Sequence, residues 1–142
     1  MFKVKSQIEF DMAHYLSGYD GKCSNIHGHR YKLIVSVKSE TLHQEGQLRG
    51  MVDDFGNIKA KLKEIEDLYD HKLVIEDNED GRLVAQKLSE LPNAFKVLLV
   101  PYRPTAEEMS RDIFYKLKDM GLNVSEVELF ETPTNSCTYS EE

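Results

Sequence analysis

Residues 2 to 14 alternate with a period of two. Phe2, Val4, Ile8, Phe10 and Met12 fall on one face, and Lys3, Lys5, Gln7, Glu9 and Asp11 fall on the other. That is the pattern of a strand with one buried side, and His14 continues the apolar side. Residues 15 to 26 are rich in Gly, Ser, Asp and Asn and read as a loop. From His27 the alternation resumes, with His27, His29, Tyr31, Leu33, Val35 and Val37 facing one way and Arg30, Lys32, Ser36 and Lys38 the other. "HQEGQLRG" then reads as a turn, and "MV" before Asp53 as the strand that completes a hairpin with it.

The spacing next turns helical. Phe55, Ile58, Leu62 and Ile65, with Leu68 or Tyr69, recur at threes and fours behind Asp53 or Asp54 as N-cap. "DGRLVAQKLSELP" predicts a short helix, and "FKVLLVPY" an extended apolar run with no evident partner. In "PTAEEMSRDIFYKLKDMG", Thr105 and Glu108 fit a capping box and Gly121 stands where a C-terminal glycine belongs. Met109, Ile113, Leu117 and Met120 form the buried stripe of that helix. "SEVELFE" predicts a last strand with Val127, Leu129 and Glu131 on one face. No repeat or linker divides the chain, so residues 1–142 form one α+β domain, an antiparallel four-stranded sheet with helices on one face.

Composition narrows the function classes. Eighteen Lys plus Arg stand against 25 Asp plus Glu, a net charge of −7, which argues against nucleic acid as a partner. No run of apolar residues is long enough to span a membrane, and "MFKVKSQIEF" has no signal-peptide pattern. Two cysteines, Cys23 and Cys137, are too few for a secreted disulfide framework. The expected compartment is the cytoplasm, where both thiols stay free.

Within that frame the histidines stand out. His14, His27 and His29 all fall on the apolar faces of their strands, where an unpaired imidazole is costly. If the two strands pair, the three rings converge near the connecting loop. Three imidazoles with one open position are the ligand set of a catalytic zinc site; the alternative for each is a hydrogen-bonded core histidine. Cys23 is a proton carrier beside the metal, a fourth ligand closing a structural site, or an inert loop thiol. Asp70 precedes His71 just past a helix end, where a carboxylate can raise the basicity of an imidazole. Glu131 either ends its strand in solvent or is a buried carboxylate suited to a planar group with two adjacent N–H donors.

The segments "FDMAH", "CSNIHGHRYKL", "VDDFGNIK", "LYDHK", "PTAEE" and "ETPT" occur in this order along nearly the whole chain. Together they resemble the 6-pyruvoyltetrahydropterin and 6-carboxytetrahydropterin synthase family, and most of all its bacterial carboxy branch, which feeds 7-deazaguanine and queuosine biosynthesis. The resemblance implies a T-fold whose subunits assemble into barrels, commonly homohexamers of two trimers, with active sites at subunit interfaces. It implies Zn2+ held by His14, His27 and His29, with Cys23 as general base and Asp70 and His71 as a second proton-transfer arm. Glu131 would anchor a pterin ring, Thr105 would lie near that ring, and Glu107 matches the acidic position of a "PTAEN"-type motif from which Glu108 departs. The implied activity is a lyase acting on 7,8-dihydroneopterin triphosphate, with release of triphosphate and acetaldehyde. The alternatives are a pyruvoyl-forming synthase and a non-catalytic zinc- or pterin-binding module. The segment 74–103 and Cys137 carry no expected role.

Overall fold

The computed structural model describes residues 1–141. Phe2–His14 form β1 and His27–Ser39 form β2, an antiparallel pair in register from Phe2 opposite Ser39 to His14 opposite His27. Both period-two readings are therefore strands, and the loop between them holds a single turn of 3-10 helix at Lys22–Ser24. Helix α1 is Phe55–Tyr69, capped by Asp54, whose side chain accepts from the Gly56 N–H at 2.7 Å. Strand β3 (Lys72–Glu76), helix α2 (Glu79–Ser89) and strand β4 (Val97–Val100) follow. Helix α3 (Ala106–Asp119), strand β5 (Val124–Thr132) and strand β6 (Asn135–Ser140) complete the described chain. No helix among the described residues is long and apolar enough to cross a membrane.

The sheet differs from the expected one. It has six strands in the order β4-β3-β1-β2-β5-β6, and β3 pairs parallel with both β1 and β4, so it is mixed and not a four-stranded antiparallel sheet. The added strands have physical reasons for escaping a period-two search. Val74 and Ile75 of β3 are both fully buried, so "KLVIE" shows no alternation between a wet and a dry face. The β3–α2–β4 unit brings the chain back by a helix, the usual connection between parallel strands. It gives "FKVLLVPY" its missing partner. Strand β6 is short and largely exposed and pairs only with β5. The proposed strand at "MV" does not form; instead His43 and Met51 close the preceding turn, the His43 N–H donating to the Met51 carbonyl at 3.1 Å.

Helices α1 and α3 cover one face of the sheet. Ile58, Leu62 and Ile65 of α1 and Met109, Ile113 and Leu117 of α3 pack on Phe10, Tyr31, Leu33, Val127 and Leu129. Each such side chain, taken out of water, stabilises the fold by about 1.5–3 kcal/mol. Helix α2 departs from the expectation of helices on a single face. It packs against β3 and β4 at Ile75, which points away from its core-facing neighbour Val74, and Gly81 is the point of closest approach. In the core, Phe10 stacks on Tyr31 at 5.4 Å and on Tyr69 at 5.8 Å. The Tyr69 and Tyr102 hydroxyls both donate to Asp112, at 3.2 and 2.9 Å, which satisfies the polar ends of two largely buried rings.

Candidate metal centre and catalytic pair

The register of β1 and β2 places His14 opposite His27 and Met12 opposite His29. Because side chains alternate across a strand, the three imidazoles lie on the core face at the rim of the hydrophobic layer. Their ring centroids are 4.6 to 5.3 Å apart. Tyr31, the next residue inward on β2, meets both His14 and His29 edge-on. Glu131 arrives from β5, one residue past the pairing of Phe130 with Lys32. The donor atoms of His14, His27, His29 and Glu131 all lie within 4.8 Å of one another.

Hydrogen bonds fix which nitrogen is free in two of the three rings. The His14 Nδ1–H donates to the Pro104 carbonyl at 2.8 Å, and the His27 Nδ1–H to the Asn25 carbonyl at 2.7 Å. A carbonyl can only accept, so in the neutral rings both protons sit on Nδ1 and both Nε2 atoms carry lone pairs. Those two Nε2 atoms face each other at 3.1 Å, a repulsive arrangement unless a cation is shared between them. Protonating His14 is opposed by burial, which lowers its pKa although the Pro104 carbonyl and Glu131 pull the other way. His29 Nε2 is buried and has no hydrogen-bond partner. It lies 2.9 Å from Glu131 Oε1, but at an angle that makes no hydrogen bond. Orphaned ring nitrogens, tautomers fixed by backbone carbonyls and a carboxylate alongside together fit a divalent metal ion such as zinc.

Cys23 is not part of this donor group. It sits half-buried in the 3-10 turn before β2, a free thiol whose carbonyl accepts from the Leu16 N–H at 2.8 Å. The structure thus supplies a carboxylate, and not this cysteine, beside the three histidines.

Asp70 and His71 form a second group with Asp11. The Asp70 carboxylate accepts from the Asp11 N–H at 2.9 Å through one oxygen and from the His71 Nδ1–H at 2.9 Å through the other. The His71 N–H in turn donates to the Asp11 carbonyl at 2.7 Å. These bonds hold His71 at φ 59°, a left-handed conformation that a non-glycine residue adopts only when its surroundings enforce it. The Asp11 amide, with smaller help from His71 and Arg30, holds the Asp70 carboxyl below the usual carboxylate range, so it stays ionised. His71 Nε2 is left as the atom free to move a proton. His71 lines an open, mainly apolar groove of about 460 Å³ with Asp11, Ala13, Ile26, Leu73 and Phe95. Met12 also lines the groove, but the Asp11 carboxylate, which alternates away from Met12 and His14 on β1, lies within 4.8 Å of the Asp70 and His71 donor atoms, so that pair stands on the opposite face of the strand from the three histidines.

Thr105 is the N-cap of α3 and its hydroxyl accepts from the Glu108 N–H at 3.2 Å. The other half of the expected capping box is not made, because Glu108 pairs with Arg111 at 2.6 Å instead. Glu107 is exposed in the first turn of α3. The contact of this segment with the histidines runs through the Pro104 carbonyl. That group, the Asn25 carbonyl and the Asp11 backbone are the contributors that the sequence reading missed. Backbone groups leave no side-chain signature; only the outward phase of Asp11 on β1, beside a histidine strand, marked its neighbourhood.

The family model for 6-pyruvoyl tetrahydropterin synthase matches residues 3–142. The chain belongs to that family. A Haemophilus influenzae protein named 6-carboxy-5,6,7,8-tetrahydropterin synthase is 44% identical, covering 99% of this chain and 100% of that protein. The 6-pyruvoyl tetrahydropterin synthase structure from Caenorhabditis elegans superposes with a TM-score of 0.69 at 25% identity, over 99% of this chain and 96% of that one. An uncharacterized Wolinella succinogenes protein shares the fold with a TM-score of 0.84 at 19% identity, over 99% and 98%. The family match thus spans the chain from β1 to β6.

Proposed function

We propose that this synthase-family protein is a zinc-dependent lyase. It converts 7,8-dihydroneopterin triphosphate to 6-carboxy-5,6,7,8-tetrahydropterin, with release of triphosphate and acetaldehyde, in 7-deazaguanine and queuosine biosynthesis. The observation that carries the reading is the facing pair of His14 and His27 Nε2 lone pairs beside the orphaned His29 Nε2, in a chain 44% identical over its length to a relative named for that product.

His14, His27 and His29 would hold the ion. Bound there, it would acidify the side-chain hydroxyls of the substrate and stabilise enolate-like charge. Cys23 Sγ takes a proton from the substrate side chain as general base, and His71 Nε2 serves as the second proton carrier, oriented by Asp70. Glu131 accepts from the 2-amino and N3 edge of the pterin, a bidentate contact suited to a carboxylate. Thr105 and Glu107 lie in the segment that borders the ring.

The Asp70–His71 pair and the histidine group open on opposite faces of β1, yet both must reach one substrate. This supports a site completed between subunits of a homo-oligomer, a barrel of T-fold subunits assembled as two trimers. The unpaired edges of β4 and β6 support it as well, since open strand edges invite pairing with another chain. The free thiols of Cys23 and Cys137 suit a cytoplasmic enzyme.

The decisive experiment incubates the zinc-loaded protein with dihydroneopterin triphosphate and analyses the products by mass spectrometry. Acetaldehyde with a 6-carboxy product is expected. A pyruvoyl product without acetaldehyde overturns the carboxy assignment, and no turnover leaves a binding module. Cys23→Ala should retain zinc and lose turnover by about 10²–10⁴-fold; loss of zinc instead would make Cys23 a ligand.

A further inference from the structure

Glu131 faces two partners that cannot both have it. As the pterin anchor it needs both carboxylate oxygens turned to two N–H donors of the ring. Its Oε1 is instead turned to the histidines, 2.9 Å from His29 Nε2 and 3.7 Å from His14 Nε2. We propose that Glu131 is the fourth ligand of the metal in the substrate-free enzyme, and that the pterin ring must draw it off the ion in order to bind. This inference rests on the metal and pterin readings given above.

The donor spacing carries it. Zinc bonds to nitrogen and carboxylate oxygen of about 2.0–2.2 Å, at tetrahedral angles, put neighbouring donor atoms about 3.3 Å apart. Three of the six separations are 3.1 Å between His14 and His27, 2.9 Å between His29 and Glu131, and 3.7 Å between His14 and Glu131, and the four donors all lie within 4.8 Å of one another. These three bracket the edge length of a tetrahedron. The contact between His29 and Glu131 is also of the right kind. A neutral imidazole and a carboxylate this close would normally share an N–H···O bond, yet His29 Nε2 has no hydrogen-bond partner. Two ligands of one cation stand in that relation. Charge agrees: three neutral imidazoles and one carboxylate leave a divalent site at net +1, less costly at a half-buried rim than +2.

The consequence is a coupling with a fixed sign. If the ring and the ion compete for one carboxylate, pterin binding weakens zinc binding, and by reciprocity zinc weakens pterin binding. The ion is held closed while the site is empty, and its fourth position is exposed only when a pterin has arrived.

The test uses the full chain and two probes: zinc, measured by competition with a chelator, and unsubstituted pterin, which has the ring edge but no side-chain hydroxyls to touch a metal. Glu131→Gln keeps the shape and removes the charge. It should weaken zinc binding at least about 10-fold, the lower end of the loss seen when even an outer-shell partner of a metal ligand is removed. Saturating pterin should weaken zinc binding to the unaltered protein and leave that of the variant unchanged. The coupling in the unaltered protein needs no variant, so a poorly folded Glu131→Gln leaves the test intact. Zinc affinity of a folded Glu131→Gln within twofold of the unaltered protein overturns the inference, and so does bound pterin that leaves zinc affinity unchanged or raises it. A protein that binds no zinc at all overturns the metal reading itself, and zinc-loaded protein without turnover overturns the lyase reading, so the failures are distinguishable.

Discussion

Replacing Asp70 separates the proposed catalytic pair from the fold that carries it. The carboxylate accepts from the Asp11 amide and the His71 ring, both at 2.9 Å. A hydrogen bond to a charged group contributes about 1.5–3 kcal/mol when shielded. The Asp70 side chain is 36% exposed, and solvent brings such contacts toward 1 kcal/mol or less. Asp70→Ala should therefore cost about 1–2 kcal/mol, a fall in melting temperature of about 3–8 °C for a domain of this size, measured at fixed protein concentration. Turnover should fall much further, by at least about 10²-fold, the lower range for a positioned acid or base. Asp70→Asn is the sharper variant. Its carbonyl oxygen can still accept from the Asp11 amide, so stability should recover to within about 0.5 kcal/mol of the unaltered protein. Its NH₂ then faces His71 Nδ1 as a donor and forces the ring proton onto Nε2, the reverse of the tautomer that the Asp70 carboxylate selects. Stability should return while turnover stays low. Asp70→Asn turnover within threefold of the unaltered enzyme, or rising in step with its stability, would refute the role of Asp70 in setting the His71 proton.

Two further outcomes follow from the packing and from the histidines. Gly81→Ala should destabilise by about 1–3 kcal/mol, although alanine gains about 1 kcal/mol over glycine inside a helix. An added Cβ would stand 2.0 Å from the Glu76 carbonyl oxygen and 2.7 Å from Ile75 Cγ2; a melting temperature equal to or above that of the unaltered protein would contradict that contact. The chelator-treated protein should lose stability as pH falls below about 6.5, the ordinary value from which burial lowers His14. There the unfolded chain takes up a proton that the folded chain resists, so unfolding gains from acidification down to the lowered folded value. His14→Gln should flatten that part of the urea-midpoint profile between pH 8 and 5, and an unchanged slope would remove His14 as its source.

The elements legible in the sequence were those whose faces differ in solvent exposure. Strands β1 and β2 and helices α1 and α3 match the spacing of their apolar residues, although Phe2 and Phe55, at the starts of their elements, are exposed and Met120 is the C-cap of α3. The three histidines share a face because the alternation runs into them. Strand β3 was not legible because Val74 and Ile75 are buried on opposite sides, and β6 because Asn135–Ser140 is nearly all polar and exposed. Glu131 could be placed on the correct face of β5 from its phase with Val127 and Leu129. Its approach to the histidines depends on the pairing of β5 with β2, some ninety residues apart in sequence, which no local pattern encodes. Nor does any pattern encode φ 59° at His71, which two bonds to the Asp11 backbone impose, one from the His71 N–H and one to the Asp70 carboxylate.

Tyr31 stacks on Phe10 in the core and meets the His14 and His29 rings at nearly right angles. No buffering layer separates the packed interior from the wall of the site. Selection for heat resistance that repacks Phe10, Tyr31 and Tyr69 therefore redraws the histidine geometry in the same step. Selection for an altered pterin acts back on the melting point. In this layer robustness and substrate range form a single evolvable trait, and variants that improve one without moving the other should be sought in the covering helices, away from the aromatic stack.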